Sequence, residues 1–267
     1  IESDESPAFS SRTKTNNSIA AGMRLLKNGE ADAFVSAGNT GAILANGLIT
    51  LRRMPYTRRP AIAVLIPVAQ GYFILLDVGA NSDCKADFLH QSAIMGNLYA
   101  KKVLGITHPK VGLLSNGEEE NKGNLLTKEA HALIKHDQNV NFIGNIEGKE
   151  MFAGVADVVI TDGFTGNVSL KITEAVAKMV TMLVKDAIKS NIISMLGGIL
   201  VRKSIQNTAR TLDPNEHGGA PLLGLNGIVV VGHGRSNSRA IRSAIKVAGK
   251  AAKHDLLGEL QAALEKQ

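Results

Sequence analysis

Only one cysteine, Cys84, and no tryptophan occur among the 267 residues. A lone thiol excludes an intrachain disulfide and a thiolate-built metal cage, and it points to a reducing cytoplasm. Aromatic residues make up 4% of the chain and no long Lys/Arg cluster is present. Bases would find neither stacking platforms nor a basic track, so nucleic acid is not an expected partner. No apolar run reaches 18 residues and no stretch reads as a signal peptide, so no membrane-spanning helix is expected. The motifs G-x-S-x-G, H-E-x-x-H and the P-loop are absent, which removes the elbow hydrolases, the zincins and the Walker-type nucleotide enzymes. The histidines lack metal-ligand spacing: His131 and His136 stand five apart, and His90 and His108 stand alone. No metal is expected.

What is present reads as α/β. A hydrophobic content of 44% over this length fills one large domain, and 27 glycines suit many tight strand-to-helix turns. Lys+Arg of 30 against Asp+Glu of 24 gives a net charge of +6. That balance favours anionic partners such as phosphate, acidic proteins or anionic lipid.

Five times a short apolar strand ends in a polar, glycine-containing loop and gives way to a helical pattern. Ala33–Val35 leads to Gly38-Asn39-Thr40-Gly41, and Tyr72–Leu76 to Asp77-Val78-Gly79-Ala80-Asn81 and a helix from about Ala86 to Val103. Val111–Leu114 leads to Ser115–Asn124, and Val158–Ile160 to Thr161–Asn167. Last, Ile228–Val231 runs into Gly232-His233-Gly234-Arg235-Ser236-Asn237 and a helix reaching about Lys253. Such alternation predicts a doubly wound, mostly parallel sheet in three layers, with the five loops gathered at the carboxyl edge where ligands of these sheets collect. One exception is expected: Ala61–Ile66 and Tyr72–Leu76 are too close in sequence for a crossover and suit an antiparallel pair.

The helix after Thr161–Asn167 carries an apolar stripe of Ile172, Val176, Met179, Val180 and Leu183. The pattern continues into Ile192, Ile193, Met195, Leu196, Ile199 and Leu200, with Lys185 and Lys189 before it and Arg202-Lys203 after. Residues 185–216 therefore form a candidate helical excursion, either a buried or dimer-interface element or one that dips into a membrane interface.

The loops offer helix N-termini, small polar side chains and a few ions, Asp77, Lys85, Asp162, Lys171 and His233. Such a set suits an oxyanion substrate and a reaction that needs positioning more than a covalent nucleophile. Cys84 has no histidine near it in sequence and is a weak nucleophile candidate. Gly232-His233-Gly234 opens like a dinucleotide fingerprint but lacks the third glycine, so a dehydrogenase-like binder is a rival, as is a membrane scaffold without catalysis.

Six blocks in order, "ADAFVSAGNTGA", "LLDVGANSDCK", "GLLSNGEEENKGN", "FIGNIEG", "ADVVITDGFTGNVSLK" and "GGAPLLGLNG…GHGRSN", together resemble the bacterial phosphate acyltransferases of phospholipid synthesis. The likeness runs from about Ser11 to Ala252. It implies a fold similar to phosphotransacetylases and the isocitrate dehydrogenase group, no cofactor, and a cytoplasmic homodimer attached peripherally to the membrane. The substrates it implies are acyl carrier protein bearing an acyl chain and inorganic phosphate, with a membrane glycerol-phosphate acyltransferase as a further partner. Relative to that pattern the chain reads as a single domain over 1–267 without the opening "DAMGGD"-type strand and loop, and Ser115-Asn116-Gly117 replaces an Asn-Ile-Gly pattern. By this resemblance phosphate is held by Gly38, Asn39, Thr40, Gly163, Thr165, Asn167, Gly234 and Ser236, helped by Lys85 or Lys171. Asp77 and Asn81 organise their loop and touch phosphate, Asp162 takes or orients its proton, and His233 serves the departing thiolate. The Glu118-Glu119-Glu120 run reads as a solvated face that would repel phosphate, or else as a loop stabiliser that pairs with Lys122.

Overall fold

The computed structural model of the protein describes residues 16–69, 71–211 and 219–267, without side chains over 206–211. The opening residues Ile1 to Pro7 and residues 212–216 of the excursion lie outside the described residues.

The chain opens with α1 (Ser18–Lys27), β1 (Ala33–Ser36) and α2 (Thr40–Thr50), then the pair β2 (Ala61–Val68) and β3 (Gly71–Leu76). Next come α3 (Ala86–Tyr99), continued by a π-helical turn over Ala100–Leu104, then β4 (Val111–Leu114), α4 (Leu125–His136), β5 (Phe142–Ile146) and the single turn α5 (Gly148–Met151). Strand β6 (Val158–Ile160) feeds the long α6 (Gly163–Lys189), followed by α7 (Ile192–Thr211), β7 (Ala220–Leu223), β8 (Ile228–Val231), α8 (Ser238–Lys253) and α9 (Leu256–Leu264).

The eight strands form one sheet in the order β1-β8-β7-β2-β3-β6-β4-β5. Ile74, Leu75, Leu76, Val158, Val159 and Ile160 are all buried, the unbroken apolar run of strands covered on both faces. One covering layer, α3, α4 and α9, packs Leu89, Met95, Ile134 and Leu260 against the sheet; the other, α1 and α2, contributes Met23 and Ile43. The result is a three-layer α/β architecture.

The sheet is more mixed than the sequence implies. The β2–β3 pair is antiparallel as expected, but β7 is also antiparallel to both β2 and β8. Three reversals separate β1 and β8 from the parallel set β3, β6, β4 and β5. Loops leaving β1 and β8 therefore emerge at the edge opposite to those leaving β3, β6 and β4. The expectation that all five polar loops share one edge is corrected: two lie on one edge and three on the other. The cause is the antiparallel insertion of β7 and β2, whose short links permit reversal but not crossover.

The fourth helical pattern is two helices. Ser190 donates its hydroxyl back to the Ala187 carbonyl, and the Asn191 Oδ1 accepts from the Ser194 N–H, so a stop and a new N-cap sit between them. α7 folds back on α6, close enough that a Cβ on Gly198 would overlap Ile188. The stripe on α6 is not buried by the rest of the chain: Ile172, Val176, Met179, Val180 and Leu183 are exposed, and on α7 Ile193 and Leu200 are 83% and 85% exposed. Among the described residues no helix is long and apolar enough to cross a membrane.

Candidate active site

The centre of the candidate site is a buried carboxylate. Asp77, 2% exposed, ends β3. Its Oδ1 accepts from the N–H groups of Ile62, Gly79 and Ala80, and its Oδ2 from the N–H and the side-chain amide of Asn81. Burial pushes the Asp77 pKa up, while the donors from Ile62, Ala80 and Asn81 pull it back. Five donors and no acceptor suit the ionised form. Asp77 thus shapes the β3–α3 loop, but its oxygens are occupied. The side-chain nitrogen of Asn81 is occupied too, donating to the Pro60 carbonyl at 2.7 Å as well as to Asp77. Of their two expected roles, the structure shows loop organisation, with the Asp77 carboxylate and the Asn81 amide nitrogen both engaged in it.

Helix α6 lands directly on this loop. Gly163 N–H donates to the Asn81 carbonyl at 2.8 Å. A Cβ on Gly163 would come within 2.5 Å of that oxygen, and one on Gly166 would overlap the carbonyl oxygen of Asp77. Both glycines are needed for the close approach rather than for turn geometry. Asp162 is the N-cap: its Oδ1 accepts from the Thr165 N–H at 2.9 Å and its Oδ2 from the Thr165 hydroxyl at 2.7 Å. Gly166 N–H goes to the Asp162 carbonyl. The expected cradle of free N–H groups over Gly163–Asn167 is corrected accordingly, because the cap and Asn81 consume most of them. Phe164 keeps a first-turn N–H with no acceptor among the described residues.

Between loop and helix lies a cleft of about 480 Å³ lined by Gly79, Ser82, Gly163, Phe164, Asn167, Val168, Lys171, Ile172 and Ala175. Polar groups (Ser82, Asn167 and Lys171) meet an apolar wall laid out at helical spacing, Phe164, Val168 and Ile172. Lys171 pairs with Glu174 at 3.0 Å on an exposed face, a contact weak enough to exchange for a bound anion. Ser82, Phe164 and Val168 were not among the sequence candidates. The one available signal was the extension of the apolar stripe backwards from Ile172 in steps of four. Lys85 precedes α3 as its N-cap without a side-chain cap bond and does not line the cleft.

Cys84 sits beside the cleft, its Sγ 3.4 Å from the Asn81 carbonyl. Burial first, then the nearby charge of Asp77, Asp162 and Asp83, pushes its thiol up to about 11. Since the thiolate is the reactive form, iodoacetamide should label Cys84 slowly at neutral pH and faster as pH rises towards that value, and Cys84→Ser should retain turnover. Rapid labelling at pH 7 with loss of activity would contradict this.

The remaining candidates form a second cluster on the opposite edge. Asn39 caps α2 through the Ala42 N–H, Gly38 N–H donates to the Ser36 hydroxyl, and Thr40 opens the helix. Asn237 caps α8, and Gly232 N–H ties the two loops together through the Ser36 carbonyl at 2.8 Å. His233 is exposed, and its Nδ1 accepts from the Arg235 N–H at 3.0 Å, which leaves the hydrogen of a neutral ring on Nε2. Gly234 and Ser236 lie in the same loop. The topology therefore does not bring His233 to Asp162.

The acidic run of the β4–α4 loop is exposed, as expected of a solvated face, and its ion pairs are not with Lys122. Glu118 pairs with Lys149 at 3.4 Å, and Glu120 with Lys135 at 2.8 Å and His131 at 3.6 Å. His131 is buried and shares a hydrogen bond with Asn145, whose amide donates to the Glu119 carbonyl. Lys122 instead lays its stem against Gly117.

This framework of a mixed α/β sheet with a cleft over a glycine-rich strand–helix junction has the fold of phosphotransacetylases. A phosphotransacetylase from Streptococcus pyogenes superposes with a TM-score of 0.62 at 19% identity, over 87% of this chain and 67% of that one. A branched-chain phosphotransacylase from Enterococcus faecalis gives 0.56 at 18% identity, over 87% and 78%. Sequence places the chain more narrowly: it belongs to the fatty acid synthesis protein family, whose model matches residues 1–258. A protein of Halothermothrix orenii named phosphate acyltransferase is 46% identical over 267 residues, all of this chain and 80% of its own length. One of the same name from Acidobacterium capsulatum is 46% identical over 98% of this chain and 77% of its own length.

Proposed function

We propose that the protein is an acyl-[acyl-carrier-protein]:phosphate acyltransferase, making acyl phosphate from acyl carrier protein thioester and inorganic phosphate for phospholipid synthesis. The observation that carries this reading is 44–49% identity to relatives named phosphate acyltransferase, sustained over 89–100% of the chain.

A phosphate oxygen attacks the thioester carbonyl carbon; the C–O bond forms, the C–S bond breaks and the thiolate leaves. No protein nucleophile is needed, in keeping with the raised pKa of Cys84. We assign phosphate to the cleft, held by the Phe164 N–H, the Asn167 side chain and Lys171 released from Glu174. Asp162 does not line the cleft but caps α6 at its margin, next to Gly163; it keeps a lone pair on each oxygen beyond its cap, and we assign it the phosphate proton. A phosphate in this cleft has the positive end of α6 behind it, which favours the anion and the developing oxyanion alike. Phe164, Val168 and Ile172 receive the start of the acyl chain. The opposite-edge cluster of His233, Gly234 and Ser236 with Gly38, Asn39 and Thr40 sets two helix N-termini side by side. We assign it the anionic portion of the carrier's thioester arm rather than proton delivery to sulfur, because the sheet separates it from the cleft.

The exposed stripe of α6 beyond the cleft, Val176, Met179, Val180 and Leu183, is proposed to be covered by a second copy of the chain. The α7 run, flanked by Lys185, Lys189, Arg202 and Lys203, is proposed to lie on anionic lipid, where the membrane acyltransferase that consumes acyl phosphate also resides. Ile193→Glu with Leu196→Glu should then release the protein from anionic vesicles, since each carboxylate must be desolvated or hold the helix out. Salt should weaken the parent's attachment, because headgroup attraction is screened within about 10 Å at 0.1 M ionic strength. Vesicle flotation beside light scattering checks this; a double variant that stays dimeric and floats like the parent removes α7 from the membrane.

The reading is tested by release of free thiol from palmitoyl-acyl carrier protein. Release should require phosphate. Equal release without phosphate would make the protein a thioesterase.

A further inference from the structure

Helix α8 is the most one-sided element of the chain. Ala240, Ala244, Ala248 and Ala251 are buried, and their small side chains let the helix lie close against β8 and β1. The opposite face carries Arg239, Arg242, Lys246, Lys250 and Lys253, at steps of three and four residues, which places all five on one side. The segment Ser238–Lys253 contains no Asp or Glu. The whole chain has 30 basic and 24 acidic residues, a net +6, so this one helix with five cations holds most of the excess.

Neighbouring elements do not neutralise it. Among the described residues, no ion pair joins Arg242, Lys246, Lys250 or Lys253 to a carboxylate. Elsewhere Lys102, Lys135, Lys149 and Lys171 all have acidic partners. Ile245, 57% exposed, lies at the edge of this stripe one turn on from Arg242, and the ground beside it at Gly249 is open. A basic stripe flanked by one exposed apolar side chain suits contact with an acidic protein surface. A lipid surface fits less well: the broad apolar face that insertion needs is spent on the sheet, and a single isoleucine remains.

We propose that the basic face of α8 docks the acyl-bearing carrier protein through a complementary acidic surface, with Arg242, Lys246 and Lys250 along the contact and Ile245 at its flank. The inference rests on the acyltransferase reading for the identity of the partner. The face begins within two turns of the His233–Ser236 loop, so a carrier seated there has its arm at the polar cluster. Steering by such a face raises the association rate and makes affinity sensitive to salt.

Fluorescence anisotropy of labelled palmitoyl-acyl carrier protein, titrated with the full chain, tests the proposal. Arg242→Glu/Lys246→Glu/Lys250→Glu should raise Kd at least tenfold and flatten its salt dependence. The charge-neutral Gln triple variant should fall between it and the parent, and Ile245→Ser should weaken binding without altering the salt slope. Rates with a carrier-free palmitoyl-pantetheine thioester should be unchanged in all variants. An unchanged Kd in folded variants overturns the proposal. So does retained carrier binding with loss of binding to phosphatidylglycerol vesicles, which would make the face a lipid contact. A parent that binds carrier but forms no acyl phosphate would leave the docking face standing and sink the acyltransferase reading.

Discussion

Asp162→Asn is expected to lower turnover by about 10²-fold or more, the usual cost of losing a general base, while leaving the fold in place. Asparagine caps a helix about as well as aspartate, and its side-chain oxygen can still accept from the Thr165 N–H, now 2.9 Å from Oδ1. The substitution removes the charge and the proton-accepting oxygen but not the cap. Asp162→Ala removes both and should cost about 1 kcal/mol of stability in addition. Comparing the two variants by steady-state rates and thermal melts separates the chemical role from the structural one. Near-parent turnover in a folded Asp162→Asn variant would confine Asp162 to capping.

Gly166→Ala is expected to be the most damaging small substitution in the site. In an exposed helix the change would help, by about 1 kcal/mol of propensity. Here the added Cβ would overlap the Asp77 carbonyl oxygen, and Thr161 closes a second side at 3.0 Å. Neither obstacle is a flexible side-chain tip; Asp77 is backbone fixed by its own hydrogen bonds. Overpacking of this kind costs about 1–3 kcal/mol or more, so the net effect is destabilising. The melting temperature should fall by roughly 2–4 °C for each kcal/mol lost in a chain of this size. Because the start of α6 must shift off the Asp77 loop, turnover should drop by 10-fold or more, as misplacement near 1 Å does. Gly197→Ala on α7, where a Cβ meets nothing within 4 Å, is the control and should be neutral or stabilising. Equal melts for the two would remove the close-approach argument.

These two positions show how far the sequence was legible. All five strand–loop–helix junctions could be read, because an apolar triplet such as Val158–Ile160 followed by Asp-Gly and a cap has few other local solutions. The β2–β3 reversal was legible for the same reason, since only a few residues separate the strands. What could not be read was the edge to which each loop goes. That depends on β7 pairing antiparallel with β2, a contact between segments about 160 residues apart, and nothing in Ala220–Leu223 itself announces it. Asp162 illustrates a second limit. Asp at the end of a strand reads equally as cap and as base, and the structure shows the cap; the base role rests on turnover. Asp77 and Asn81 were recognised as important, yet the Asp77 carboxylate and the Asn81 amide nitrogen turned out to be occupied, because a sequence displays donors and acceptors without their partners. The exposed α6 stripe is a third case: periodicity finds the apolar face but not whether this chain or another surface covers it.

The account stands on direct attack of phosphate on the thioester. Phosphate labelled with oxygen-18 at every position, supplied with palmitoyl-acyl carrier protein and this chain, tests it most directly by mass spectrometry of the product. Direct attack predicts palmitoyl phosphate carrying all four labelled oxygens, since no P–O bond breaks, with the carrier thiol released in equal amount. Free palmitate with no acyl phosphate, or an acylated protein side chain trapped before phosphate is added, would contradict it.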